Sequence, residues 1–129
     1  MIIRLVEIAD ASQWEAMRRD LWPESPEDHP REISAFFAGM LTEPQAVLVV
    51  QEGSSLIAFA ELAIRDDLKE FPGKRVGYVE GLYVVPSFRH GGLARKLLAA
   101  AREWARQSNC EAFASDRADR IIVDLRFSR

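Results

Sequence analysis

Residues 78–106 read YVEGLYVVPSFRHGGLARKLLAAAREWAR, and this stretch decides the fold. Its first half is rich in β-branched and aromatic residues, Tyr78, Val79, Leu82, Tyr83, Val84 and Val85, and fits a pleated, largely buried strand that Pro86 ends. The period then changes. Leu93, Leu97, Ala100 and Trp104 recur at steps of four, three and four, the apolar stripe of an amphipathic helix. Between the two lies Arg89-His90-Gly91-Gly92-Leu93-Ala94, a basic, glycine-bearing turn that opens the helix.

That geometry has a chemical consequence. The first amides of a helix have no partner within it, and the aligned peptide dipoles place roughly half a positive charge at that end. Gly91 and Gly92 lack a Cβ, so a ligand comes close to their amides and positive φ costs little. With Arg89, His90, Arg95 and Lys96 adding donors and charge, the turn is a receptor for a diphosphate and suits a nucleotide cofactor. Short Gly-Gly turns before helices also occur for packing alone. Neither the dinucleotide fingerprint G-x-G-x-x-G nor the Walker Gly-Lys-Ser/Thr is present.

A chain of 129 residues, 48% hydrophobic and 29% charged, is one domain's worth of ordinary globular sequence, taken as a single unit over 1–129. One cysteine cannot form an internal disulfide, so Cys110 reads as a reduced, buried thiol. No apolar run approaches a membrane span and no signal pattern opens the chain, so the expected compartment is the cytoplasm. A net charge of −3 argues against a nucleic-acid partner and permits a cationic substrate.

Taken in order, Ile2 to Val6 reads as a strand. Asp10 with Gln13 forms a cap pair for a helix carrying Trp14, Met17 and Leu21. Three prolines between Trp22 and Pro30 forbid regular structure there. Ile33, Phe36, Phe37, Met40 and Leu41 then repeat at helical spacing, with the aromatics as core. The runs Ala46 to Gln51 and Leu56 to Ile64 flank Gly53-Ser54-Ser55 and predict an antiparallel hairpin, and a polar connection from Arg65 to Lys74 leads to the central strand. After the long helix, Asn109 is a stop, and Glu111 to Ser115 predicts a strand parallel to the central one. The order β-α-α-β-β-β-α-β, with hairpin and crossover signals together, indicates α+β.

The strand ending in Val84-Val85-Pro86, followed by Arg89-x-x-Gly92-x-Ala94 opening a Leu/Ala-rich helix, resembles motif A of the GCN5-related N-acetyltransferase (GNAT) superfamily. Asp20-Leu21-Trp22-Pro23, Val79 to Val84, Pro86 to Arg89 and Ala114-Ser115-Asp116 are together similar to its aminoglycoside 6'-N-acetyltransferase branch, over about residues 2 to 116. The resemblance implies a mixed, mostly antiparallel sheet flanked by helices. It also implies acetyl-CoA as cosubstrate, held by Leu82, Tyr83, Val84, Arg89, His90, Gly91, Gly92, Leu93, Ala94 and Arg95, with no metal. In the family the central strand and the one after the long helix splay, and the pantetheine arm enters between them.

The expected reaction is acetyl transfer from a thioester to a primary amine by direct attack in a ternary complex. An alkylamine is mostly protonated at neutral pH, so a base must take a proton, directly or through water. Glu80 and Asp116 are the candidates; the alternatives are an outward strand residue for Glu80 and a plain loop carboxylate for Asp116. A backbone N–H near Leu82, exposed where the family has a bulge, would polarise the thioester carbonyl. A mouth lined by Glu24, Glu27, Asp28, Asp66, Asp67, Glu80 and Asp116 would draw in a polycation, and Trp22 would face a sugar ring; acidic loop residues are also commonly just solvated.

The C-terminus departs from the family, where an asparagine-bearing loop, a helix, closing strands and often an acid tyrosine follow. Residues 117–129 contain neither asparagine nor tyrosine, and the ending reads as a truncation or frameshift after Asp116, with closing elements shortened or missing. Ile121 to Phe127 alternates and predicts one edge strand, within the chain or in a symmetry mate, so a homodimer is expected. A thiolate leaving group tolerates the loss of a tyrosine acid. The alternatives are a truncated, weakly active domain that binds coenzyme A or assembles with itself, and an N-acetyltransferase acting on another polyamine or a protein N-terminus.

Overall fold

The computed structural model describes residues 1–25, 28–115 and 122–125. Its elements are β1 (Ile2–Leu5), α1 (Ala11–Leu21), α2 (His29–Phe37), β2 (Ala46–Glu52), β3 (Ser55–Arg65), β4 (Val76–Val84), α3 (Leu93–Gln107), β5 (Ala112–Ser115) and β6 (Ile122–Asp124), with 3-10 turns at Ile8–Asp10 and Pro86–Phe88. The six strands lie side by side in chain order. All neighbours are antiparallel except β4 and β5, which α3 joins as a crossover. The α+β reading therefore holds, and β6 pairs with β5 inside the chain. Among the described residues no helix is long and apolar enough to cross a membrane.

Among the described residues two large buried clusters sandwich the sheet, and a small third one gathers Val76, Tyr78, Ala112 and Ala114. On one face α3 buries Leu93, Leu97, Ala101 and Ala105 against Leu48, Val50, Ala58, Ala60, Leu62 and Val79. The fully buried stripe thus runs at steps of four, and Ala100 and Trp104, expected at its centre, flank it half-buried. On the other face Trp14 and Met17 of α1 and Ile33 of α2 cover Val47, Val49, Phe59 and Tyr83. Phe36 and Phe37 meet Trp14 edge-on at 5.3 and 5.9 Å, a geometry that aligns ring edges with ring faces.

Several local expectations are corrected. Asp10 is not paired with Gln13 as a cap: its carboxylate accepts from the Glu7 amide at 2.7 Å, while Gln13 accepts from the Leu56 amide at 2.8 Å and so ties α1 to the hairpin. Helix α2 begins earlier than the prolines indicated, because Pro30 sits in its first turn, where the missing N–H is harmless, and Asp28 caps it. It also ends at Phe37, leaving Met40 exposed. Asn109 takes a φ of +62° just past α3, as a stop residue should, and Cys110 is buried, which pushes its thiol pKa up.

Asp10 also receives a forked pair of hydrogen bonds from Arg4, at 2.7 and 3.0 Å, which hold its carboxyl below the ordinary 3.8. A depressed native pKa contributes stability that is fully present above the unfolded value and lost as pH falls through the folded one. Arg4→Met is expected to cost about 1–3 kcal/mol at pH 7. Urea unfolding at a series of pH values should show that deficit shrinking below about pH 4. A deficit equal at both ends of the series would mean the pair does not carry it.

Candidate functional site

The ladder between β4 and β5 covers only Val76 to Val79. Beyond Val79, β4 runs on to Val84 paired with β3 alone, so its other edge lies outside any ladder among the described residues. At this point β4 carries a bulge: Glu61 faces Gly81 and Leu62 faces Val79, leaving Glu80 as the extra residue. A bulge shifts the alternation of side chains by one. Val79 and Leu82, three apart, consequently face α3 together, and Glu80 and Gly81, adjacent in sequence, both border the α1 side.

The strand leads through the Pro86–Phe88 turn to α3, and here the conformation is specific. His90 has a φ of +69° and Gly92, which caps the helix, a φ of +83°. Of the two glycines, Gly92 takes the left-handed conformation that favours a residue without Cβ, and Gly91 is not in that region. The first helical hydrogen bond runs from the Lys96 amide to the Gly92 carbonyl at 3.1 Å, so the amides of Leu93, Ala94 and Arg95 precede it and point out of the helix end. Arg89 folds back: its Nε donates to the Val84 carbonyl at 2.7 Å and its guanidinium lies 5.4 Å from the centre of the Tyr83 ring.

A cleft of about 580 Å³ opens at this helix end. Leu82, Tyr83, Val84, Arg89, His90, Gly92, Leu93, Ala94 and Arg95 line it, all expected from the sequence, whereas Gly91 does not. Leu21, Phe88 and Leu98 complete its apolar wall and were not anticipated. Helix-end amides, flanking cations and an apolar wall match a long ligand with a phosphate part and an apolar part. Tyr83 is turned to the α1 side, where its hydroxyl donates to Asp20 at 3.0 Å; burial and this bond push its pKa up.

A second cleft of about 240 Å³ lies beside the first, lined by Arg18, Trp22, Glu32, Glu43, Pro44, Glu61 and Glu80. Leu21 and Leu82 face one cleft while Trp22 and Glu80 face the other, so the contact of α1's end with the bulge stands between the two. Four carboxylates stand here against Arg18 and against Arg65, which forks onto both Glu80 oxygens at 2.8 and 2.9 Å. That bond raises the pKa of Arg65, whose guanidinium also lies over Tyr78. Glu61 is the buried member, 2% exposed, and burial pushes its pKa up against the opposing pull of Arg18.

The acidic mouth therefore differs from the one expected. Glu80 and Trp22 are in it. Glu24 is exposed and lines neither cleft, Asp28 is spent on the α2 cap, Asp66 borders a separate hollow with Arg75 and Glu111, and Asp67 is on the surface. Glu27 and Asp116 lie outside the described residues. Glu32, Glu43 and Glu61 take their place. Glu61 had a readable signal, since it is the one carboxylate in the apolar run Leu56–Ile64.

Gly81 shows why a glycine stands in the bulge. A Cβ there would meet Trp22 Cη2 and Cζ2 at 2.6 Å, so the ring lies directly on the strand's backbone. Gly81→Ala is expected to push Trp22 off β4 and to destabilise the fold by about 1–3 kcal/mol, the usual cost of inserting a methyl group into a filled contact. Urea unfolding of the two proteins checks this, and equal midpoints would show that the ring yields without cost.

The sequence and fold have known relatives. The model of the acetyltransferase (GNAT) family matches residues 14–121. An aminoglycoside N(6')-acetyltransferase type 1 from Klebsiella aerogenes is 41% identical over 117 residues, which span 89% of this chain and 77% of that protein. One from Stenotrophomonas maltophilia is 34% identical over 115 residues, 88% and 73% of the two chains. The aminoglycoside 6'-N-acetyltransferase AAC(6')-Ig from Acinetobacter haemolyticus superposes with a TM-score of 0.78 at 32% identity, covering 92% of this chain and 80% of its own. AAC(6')-Iy, solved with a bisubstrate analogue joining CoA to acetylneamine, superposes with a TM-score of 0.79 at 29% identity over 91% and 79%. This chain belongs to the acetyltransferase (GNAT) family.

Proposed function

We propose that the protein transfers the acetyl group of acetyl-CoA to the 6'-amine of an aminoglycoside, a reaction of antibiotic resistance. The observation that carries this reading is two clefts of opposite chemistry on either side of one strand bulge, one built on helix-end amides, the other on four carboxylates. The residues fit the cosubstrate: the amides of Leu93, Ala94 and Arg95 would hold its diphosphate, Arg89, His90 and Gly91 would flank it, and the edge of β4 at Leu82 to Val84, outside any ladder among the described residues, would meet its arm. When bound, acetyl-CoA supplies an activated acyl thioester.

On the other side, the carboxylates attract an ammonium and Trp22 offers its face to the sugar ring. Glu80 keeps acceptor capacity beyond its fork with Arg65, since a carboxylate has about four acceptor sites and the fork uses two. It holds the amine, or a water beside it, and takes up the proton; Asp116 is the second proposed base. A backbone N–H at the bulge steadies the charge that grows on the carbonyl oxygen.

The test is thiol release from acetyl-CoA in the presence of kanamycin-like acceptors, with the acetylated position read by NMR. Release above the background without acceptor, with modification at the 6' nitrogen, is the expected result. Binding of CoA without release, or acetylation of another polyamine or a protein N-terminus in preference, overturns it. The reading extends to a cytoplasmic single-domain enzyme that forms a homodimer through an uncovered sheet edge, such as β1, whose Ile2 and Leu5 are more than half exposed. A monomer in sedimentation equilibrium at micromolar concentration would exclude that dimer.

A further inference from the structure

The wall of the acid-lined cleft includes a buried arginine, Arg18, to which the proposed chemistry gives no role. Arg18, 3% exposed, donates from Nε to Glu61 Oε2 at 2.7 Å and from Nη2 to Glu61 Oε1 and Glu32 Oε1, both at 3.3 Å. Its Nη1 lies 3.2 Å from His29 Nδ1, and Trp14 Nε1 donates to Glu61 Oε2 at 3.0 Å. Burying such a pair costs several kcal/mol of desolvation per ion, and an apolar replacement is often as stable, so stability alone does not account for it.

Its position does. Glu61 faces Gly81 across the ladder, at the edge of the bulge that carries Glu80. The Arg18 guanidinium lies 5.2 Å from the centre of the Trp22 ring, and that ring rests on Gly81. Arg18, Glu61, Gly81 and Trp22 therefore form a closed circuit linking α1, β3 and β4 around the acceptor cleft. Within it the planar guanidinium has two functions at once: its edge is fixed by the carboxylate fork and its face meets the indole.

We infer that Arg18 is a positioning residue for acceptor binding, acting through Glu61 and Trp22 without touching the reacting atoms. Because the cation is anchored to mid-β3, the indole stands at a fixed place on the bulge beside Glu80. The inference rests on the reading of this cleft as the acceptor site. A lysine keeps the charge but lacks the flat, forked group, so Arg18→Lys is expected to loosen Trp22 while leaving the charge balance intact.

The experiment measures kcat and both KM values for the full chain and for Arg18→Lys, with circular dichroism to normalise for folded protein. Expected is a rise of about tenfold in the acceptor KM, with the acetyl-CoA KM within about twofold. Glu61→Gln, which retains an oxygen for Arg18 and Trp14 but removes a cleft charge, should raise the acceptor KM about threefold; a ratio to the unmodified chain that persists in about 0.5 M salt, where loss of a charge alone would be screened, carries the test if the lysine variant does not fold, and a ratio that vanishes there overturns the inference. Unchanged acceptor KM per folded molecule, or equal rises for both substrates, overturns the inference. Absence of aminoglycoside acetylation by the unmodified chain would instead overturn the functional reading on which it stands.

Discussion

Replacing Glu80 by glutamine is expected to lower kcat about 10²-fold while the acetyl-CoA KM stays within about twofold. The magnitude is set at the low end of what a positioned base contributes, ~10²–10⁴, because Glu80 shares its charge with Arg65 at 2.8 and 2.9 Å. Glutamine keeps the shape in the bulge, so the strand register should survive. It surrenders the negative charge, and Arg65 then keeps Glu43 at 3.5 Å and the more distant Asp67. The cleft loses one of four carboxylates, so the acceptor KM should rise as well, by severalfold. Stopped-time thiol release at saturating acetyl-CoA gives kcat directly. Turnover unchanged per folded molecule would remove Glu80 from proton transfer and leave Asp116 as the candidate to replace next.

How far the sequence foretells this arrangement depends on the range over which each feature is determined. The strand, turn and helix of residues 76–107 are legible because their periods are local, and the proline and glycines between them act on their own backbone. Nine of the ten residues expected at the first cleft line it for that reason. The second cleft is different. Arg18 and Glu61 are 43 positions apart, and Arg65 and Glu80 are 15 apart, so their pairing follows from how α1 docks and where β3 meets β4. A list of acidic loop residues has no means of distinguishing Glu43, which arrives at the cleft, from Asp66, which borders another hollow.

The same distinction explains the boundaries that moved. Met40 has the right spacing to extend α2, but spacing alone does not say that the core ends at Phe37, where Trp14 has already received its ring partners. Asp10 looks like a cap for the helix that follows it, yet Arg4 and the Glu7 amide claim its carboxylate from the preceding side. The bulge at Glu80 is the most consequential feature hidden from periodicity. It breaks the alternation within a strand that otherwise reads as regular, and it alone brings Glu80 and Gly81 to one side.

Gly92→Val is expected to raise the acetyl-CoA KM about 30- to 100-fold, roughly 2–2.7 kcal/mol, with a smaller change in the acceptor KM. At a φ of +83° the turn stands where an L residue pays about 1–2 kcal/mol in steric strain, and a β-branched one is worse placed still. Among the described residues no atom lies within 4 Å of an added Cβ, so backbone conformation is the source expected for the effect. The loop relieves the strain by leaving the left-handed region, which swings the Leu93, Ala94 and Arg95 amides away from a common focus. Gly91→Ala is the informative comparison. Its nearest foreign atom, the Phe88 carbonyl oxygen, is an ordinary 3.9 Å away and its φ is not left-handed, so its KM should rise no more than about threefold. If the two variants weakened acetyl-CoA equally, the loop would be needed only for its small size; if neither did, the diphosphate would have to be held by another part of the chain.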